Sequence, residues 1–415
     1  MKVKGASRFL NTAGPAGASP WQKGRVRRGS SRAICLIAAW LLWIVPMLVL
    51  AAMVIHNPLK HTVTLGSYHP SAENWWARQN LYVGPSGMNY LPHFAVLYSP
   101  FHFLPFTLSE ILWRFCAAGA LAFGLWRLAR ELFGPDSERP FLWATIIAMP
   151  LSLGALRNGN ANAIFGGVTL LAMVATLQER WWLAVGWMVL ATALKPLGVV
   201  LLLLASIYYA PVARRLPAAL LGLAVFPFFF GGPEYVWTQY QAAWQNLRAC
   251  GAVTEHRFAD VNGILRTLGA PLSARVATMV RFLAGGVTAL AWLWGARRLN
   301  PALRCLWLYA LATAYLMLFN PMNEANSYVI LAPALGAWAA CFLFNLDLAG
   351  RRWGWAVVCL ALGMSLLPNL LRPLFGNYFA LFWLPVMTIL FLALLLCFIG
   401  RMGGEYVGAP HATNP

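Results

Sequence analysis

Apolar runs of membrane-crossing length recur along this chain from residue 33 to residue 399, separated by short polar connections. A hydrocarbon core about 30 Å thick takes roughly 20 apolar residues in helical form, and a helix satisfies its own backbone where no water can. Residues 33–55, 108–127, 141–156, 161–177, 279–296, 302–319, 327–344, 353–371 and 378–399 fit that description; 216–231 is shorter but unbroken. Residues 181–210 are interrupted by Lys195-Pro196. This segment reads as two short helices meeting at the dipeptide, because proline removes a ladder bond and a charge avoids the bilayer centre. Twelve helices are therefore expected. Residues 93–106, with prolines at 100 and 105, read as a re-entrant or interfacial segment. Of the 415 residues, 60% are apolar and 10% charged, against about 25% charged in an ordinary soluble domain. A soluble fold cannot bury so much apolar surface, and a disordered chain is poor in hydrophobes. The fold class is an all-α, polytopic integral membrane protein.

The formal charge of +19 would suggest nucleic acid in a soluble domain. Here the bases read as topology signals instead, and no nucleic-acid partner is expected. Lys2, Lys4, Arg8, Lys23, Arg25, Arg27, Arg28 and Arg32 make a tail with no acid, which the positive-inside rule places in the cytoplasm. Alternation then puts Arg127/Arg130, Arg214/Arg215, Arg297/Arg298/Arg304, Arg351/Arg352 and Arg401 on the same side. Treating 181–210 as one helix would reverse the later clusters. The organisation is a basic tail (1–32), one transmembrane catalytic domain (33–400) with external loops at 56–107 and 232–278, and a cytoplasmic tail (401–415). Both termini are expected inside, in a cell (inner or plasma) membrane. The first run reads as a retained signal anchor. The seven cysteines show neither a disulfide framework nor metal spacing, and no nucleotide-binding glycine loop is present.

Polar residues gather at helix ends on the external face. Arg157-Asn-Gly-Asn-Ala-Asn162 leads into one span, Lys195-Pro196 joins two, and Asn320-Pro-Met-Asn-Glu-Ala-Asn-Ser-Tyr328 leads into another. Each has an ordinary reading: asparagines cap helices, a lysine snorkels to the interface, and Glu324 is a solvated turn residue. Within the first loop, residues 71–82 suggest a short amphipathic helix lying on the bilayer, started by Pro70-Ser71, with Trp75 and Trp76 at headgroup level. Glu73 would then fall in its first turn, as a complement to the helix dipole or as a general base at the lipid–water boundary.

These motifs resemble those of the polyprenol-phosphate-sugar-dependent glycosyltransferases of family 87, a GT-C-fold group. Gly159-Asn-Ala-Asn162 is similar to their Gly-Gln-x-Asn element, and Ala191-Thr-Ala-Leu-Lys195-Pro196 to their Ala-Thr-x-x-Lys-x-x-Pro element. Tyr90-Leu-Pro92 through Leu104-Pro105 resembles their Tyr-x-Pro…Pro…Leu-Pro segment, and Val261–Arg266 loosely resembles a stretch of their second long loop. The resemblance implies transfer of a hexose (mannose-like) or pentose from a polyprenyl-phosphate donor to an acceptor hydroxyl on a glycolipid or glycan. The chemistry would lie on the non-cytoplasmic face, usually with inversion, and use an acidic general base in the first external loop. Arg157, Lys195 and Arg266 would stabilise the leaving phosphate, while Asn160, Asn162, Asn323, Glu324 and Asn326 would bind sugar or acceptor. No cofactor or metal is expected, since the lipid-linked sugar is itself a substrate. Two departures stand out. The family base is an aspartate, and residues 56–91 hold none; Glu73 is their only acid, with His56, His61 and His69 as other candidates. The family glutamine is Asn160 here. Two other function classes fit a polytopic chain: a secondary transporter or lipid flippase, for which the broken helix at Lys195-Pro196 argues, and a catalytically inactive envelope-assembly protein.

Overall fold

The computed structural model describes residues 29–58, 60, 62–83, 88–251, 258–345, 348–376 and 378–407; most of the basic tail, His61 and residues 408–415 lie outside them. In chain order the helices are α1 (Gly29–His56), α2 (His69–Trp76), α3 (Pro92–His102), α4 (Phe106–Phe133), α5 (Glu138–Asn158), α6 (Asn162–Leu177), α7 (Trp181–Leu194), α8 (Gly198–Tyr208) and α9 (Ala210–Val225). They continue with α10 (Pro233–Gly251), α11 (Val261–Thr267), α12 (Ala274–Ala296), α13 (Pro301–Phe319), α14 (Ala332–Phe344), α15 (Leu348–Leu370), α16 (Arg372–Phe375) and α17 (Tyr378–Val407). A π turn at Thr64–Tyr68 leads into α2, and a 3-10 turn at Ala325–Ile330 leads into α14.

Among the described residues, nine helices are long and apolar enough to cross a membrane; α6, α7 and α8 are shorter apolar helices. The expected twelve spans thus correspond to nine full-length helices and three short ones. The 181–208 segment does break at Lys195-Pro196: α7 runs up to it and α8 returns, bringing Tyr209 to 5.6 Å from Trp181 between ring centroids. Basic clusters meet at one end of the bundle. There Arg32 pairs with Asp136 across the α4–α5 turn, Arg215 lies 5.0 Å over Trp182, Arg304 5.0 Å over Tyr208, and Arg401 5.3 Å over Trp353. The two long loops cover the opposite end.

The bundle is centred on α14. Of the most apolar stretch in the Ala325–Phe344 span 94% is buried, against 11% for α12 and 17% for the α9 span, so α12 and α9 turn their leucines and phenylalanines outward, as lipid contact requires. Small residues set the closest approaches, as is usual where no hydrophobic force drives helices together. A methyl group on Gly167 of α6 would stand 2.3 Å from the Ala120 main chain of α4, and one on Gly336 of α14 would stand 2.8 Å from the Ala144 carbonyl of α5.

At the loop end, α2, α3, α10 and α11 form a layer whose two long loops bind each other. Gln239 of α10 accepts the Leu81 N–H at 3.0 Å, Tyr235 donates to the Gln79 carbonyl at 2.8 Å, and Asn246 donates to the Met88 carbonyl at 2.9 Å. Two expectations are corrected here. Helix α2 begins at His69, continuing the π turn, so Glu73 falls in its second turn and complements no N-terminal dipole. The tryptophan pair does not lie together in the headgroups. Trp75 is fully buried, its ring 5.3 Å from Tyr235, while Trp76 is partly exposed and donates to Ser99 at 2.8 Å. The partner loop offers Trp75 a dry pocket that local amphipathicity could not foresee. Residues 92–102, within the stretch read as re-entrant or interfacial, form a short helix in this layer.

Candidate functional site

A cavity of about 730 Å³ opens at the loop end, between the C-terminal ends of α1, α5 and α15, the start of α4, the 325–326 turn, α16 and the start of α17. Its wall is of two kinds. Leu50, Met53, Val54, Leu151, Met364 and Leu384 form an apolar flank, and Lys60, Arg114, Arg157 and Arg372 supply positive charge, with Asn158, Asn326 and Asn369 between them. Among the described residues, Glu110 is the only carboxylate in the lining. The arrangement suits a long amphiphile with an anionic head, because the charges stand where the apolar groove ends.

Glu110 sits at the start of α4, and its side chain is almost wholly buried. Its Oε2 accepts from Arg114 Nη1 at 2.7 Å, one helical turn on, from Thr64 Oγ1 at 2.7 Å and from Thr62 Oγ1 at 3.4 Å. Its Oε1 has no hydrogen-bond partner among the described residues, and His69 Nε2 stands 4.0 Å from it. Burial holds the His69 ring below its ordinary pKa, against the opposing pull of Glu110. Arg114 also donates to the Arg157 carbonyl at 3.2 Å, which ties α4 to the α5–α6 turn. That turn needs Gly159, which ends α5 at φ +69. A methyl group there would meet Thr64 Cγ2 at 2.9 Å and Arg114 Nη2 at 3.1 Å, the two principal partners of Glu110.

A second cluster lies on the far side of the same turns. Lys195, at the tip of the α7–α8 hairpin, donates to Asn162 Oδ1 and lies 5.5 Å over the Tyr90 ring. The Asn162 amide donates to Ser327 Oγ at 3.4 Å, and Asn160 Oδ1 accepts the Asn162 N–H at 2.9 Å. Tyr90 and Tyr68 share a hydroxyl bond of 3.0 Å, and Tyr68 accepts the Ala161 N–H at 3.0 Å. Lys195 belongs to neither helix of the hairpin; burial draws its ammonium down to about 8, opposed by the charge of Glu324. Glu324 itself is exposed.

The residues expected from sequence therefore divide. Arg157 and Asn326 line the cavity. Asn160, Asn162, Lys195 and Glu324 gather in the adjoining cluster. Asn323 is fully buried, its amide donating to the Ala259 carbonyl at 3.0 Å and the Met317 carbonyl at 2.8 Å, so it clamps the second long loop to the end of α13. Arg266 lies on α11 near Asp260, which caps that helix by accepting the Gly263 N–H at 2.7 Å; neither lines the cavity. Burial raises the Asp260 carboxyl above its ordinary pKa, while the Gly263 N–H, Arg281 and Arg266 pull it down. Glu73 is exposed on α2 and outside the cavity lining. Sequence reading did not assign Lys60, Glu110, Arg114 or Arg372 to the site. The i, i+4 spacing of Glu110 and Arg114, the only charges in the first five turns of α4, is the signal that could have found the pair.

The sequence profile of glycosyltransferase family 87 matches residues 89–321, more than half of the chain. The chain belongs to glycosyltransferase family 87. That matched region spans the Tyr90 segment, the 157–162 turn and the Lys195 hairpin, where the second cluster is built. This family 87 protein is similar to two curated relatives, both described as polyprenol-phosphate-mannose-dependent alpha-(1-2)-phosphatidylinositol pentamannoside mannosyltransferases. The one from Mycobacterium tuberculosis is 31% identical over 34% of this chain and about a third (32%) of its own length. The one from Mycolicibacterium smegmatis is 25% identical over 70% of each chain. Among solved structures, ArnT from Cupriavidus metallidurans bound to undecaprenyl phosphate aligns at 17% identity and a TM-score of 0.37, covering 90% of this chain and 77% of that one.

Proposed function

We propose that this family 87 protein moves a hexose, mannose-like, or a pentose from a polyprenyl-phosphate donor to an acceptor hydroxyl of a glycolipid or glycan, on the non-cytoplasmic face and by inverting single displacement. The observation that carries the reading is the cavity's two-part wall. Its apolar flank suits a polyprenyl chain, and Lys60, Arg114, Arg157 and Arg372 suit the phosphate. As the bond from the anomeric carbon to the phosphate oxygen breaks, negative charge grows on the departing phosphate, and cations along the cavity wall stabilise it. The donor named for both relatives supports the same substrate class. Asn158, Asn326 and Asn369 offer paired donors and acceptors for sugar hydroxyls. Asn160, Asn162 and Lys195 act one layer behind, holding the turns that carry Arg157 and Asn326. The basic clusters at the opposite end, read by the positive-inside rule, support a cavity on the non-cytoplasmic face.

The test is purified protein in lipid nanodiscs given a polyprenyl-phosphate mannose or pentose donor and a membrane glycolipid extract as acceptor, with release of polyprenyl phosphate followed by mass spectrometry. Release that depends on the acceptor extract is the expected result. No release with either donor overturns the reading.

A further inference from the structure

We infer that Glu110 is the general base of the transfer, an inference that rests on the glycosyltransferase reading above. Four observations converge on it. Among the described residues, Glu110 is the only carboxylate lining the cavity that holds the cations. Its Oε2 is pinned by Arg114 and Thr64 at 2.7 Å each, with Thr62 at 3.4 Å. Its Oε1 is buried and has no hydrogen-bond partner among the described residues, and a buried acceptor left unmade is costly unless something else uses it. Finally, Gly159 keeps the space beside both pinning groups clear, since a methyl group there would press on Thr64 and Arg114 together. One oxygen fixed and one free is the geometry a general base needs, because the carboxylate cannot swing away while its open lone pair awaits a proton.

The step balances as follows. The acceptor hydroxyl gives its proton to Glu110 Oε1, and its oxygen forms a bond to the anomeric carbon. The bond from that carbon to the donor phosphate oxygen breaks, and its electron pair leaves with the phosphate toward Lys60, Arg157 and Arg372. Arg114 stays with Oε2 throughout. His69 Nε2 stands 4.0 Å from Oε1, beyond hydrogen-bond reach, and has Ser109 Oγ at 3.2 Å as its partner. The first external loop supplies the pinning threonines rather than the base, and the base itself comes from the helix that follows.

The nanodisc assay tests this with Glu110→Gln, which keeps an acceptor oxygen for Arg114 and Thr64 but cannot take the proton. Polyprenyl phosphate release should fall at least a hundredfold, in the range of about 10² to 10⁴ set by general-base catalysis. Affinity for added polyprenyl phosphate should stay near wild type; losing the charge that faces Arg114 lowers the unfolding midpoint, and the kept hydrogen bonds limit the fall. Should that variant fail to fold, Thr64→Val leaves the ion pair intact and frees Oε2 on one side; its turnover should fall about tenfold with lipid-phosphate affinity unchanged. Three results overturn the assignment: Glu110→Gln turning over within tenfold of wild type, loss of turnover in Glu73→Gln while Glu110→Gln stays active, or lipid-phosphate affinity falling in step with turnover. Wild-type protein that releases no polyprenyl phosphate overturns the parent reading instead, which separates the two failures.

Discussion

The cavity and the Lys195 cluster are made from the same two turns and do opposite things with them. Residues 157–158 and 325–326 face the cavity, where Arg157 is exposed and the cations Lys60, Arg157 and Arg372 stand along one wall. Residues 160–162 and Ser327 face the cluster, where amide, hydroxyl and ammonium groups satisfy one another and Asn162 is fully buried. The first region keeps polar capacity for a ligand. The second spends its capacity internally, on the shape of the turns. A motif rich in asparagine and lysine can therefore serve a site without lining it, because the side chains that touch a ligand need neighbours that do not move.

Four experiments would break or sharpen that contrast. The largest effect is expected from Glu110→Ala, which strands Arg114 as an unpaired buried charge; about 3–5 kcal/mol of stability should be lost, read by denaturant unfolding in detergent. An unchanged midpoint would mean that the pair is not buried as described. Next, Arg157→Gln should lower turnover about 10²-fold while leaving the unfolding midpoint alone, since one donor to a developing anion is worth roughly that much. If Lys195→Gln lowered lipid-phosphate affinity as much as Arg157→Gln does, the division between the two regions would fall. Gly159→Ala comes third. It forces a left-handed backbone on alanine, at about 1–2 kcal/mol, and presses on both partners of Glu110, so turnover should fall further than thermal stability alone predicts. The smallest effect concerns pH. With its ammonium drawn down to about 8, Lys195 is charged below that value and loses its charge above it. Turnover should decline about fivefold between pH 7 and 9 as the contacts to Asn162 and Tyr90 weaken. In Lys195→Arg, charged throughout, that alkaline limb should be absent.

Particular residues show how far sequence could be read into function. Arg157 and Asn326, singled out in the sequence because a charge and an amide at the ends of apolar spans stand out against their surroundings, both line the cavity. Lys195-Pro196 was legible as a break for the same reason, and the α7–α8 hairpin bends there. Asn323 and Glu73 carried equally polar signals and went elsewhere, one into a clamp on the Ala259 carbonyl and one onto an exposed helix face. Nothing local distinguishes an asparagine that binds main chain from one that faces a cavity.

What the chain's own order determined is the list of apolar helices, the break in the hairpin and the end opposite the long loops where the paired basic clusters collect. Those properties depend on hydropathy, helical period and proline, which act within a turn or two of the residue concerned. Which ends lie side by side was decided only in three dimensions. Thr64 and Glu110 come from segments 46 residues apart, and Arg372 reaches the cavity of Lys60 from the far end of the chain. Lateral packing of spans is set by close approaches such as Gly167 on Ala120 and Gly336 on Ala144. Hydropathy reports that a helix is in the membrane, and shape complementarity between distant helices chooses its neighbours.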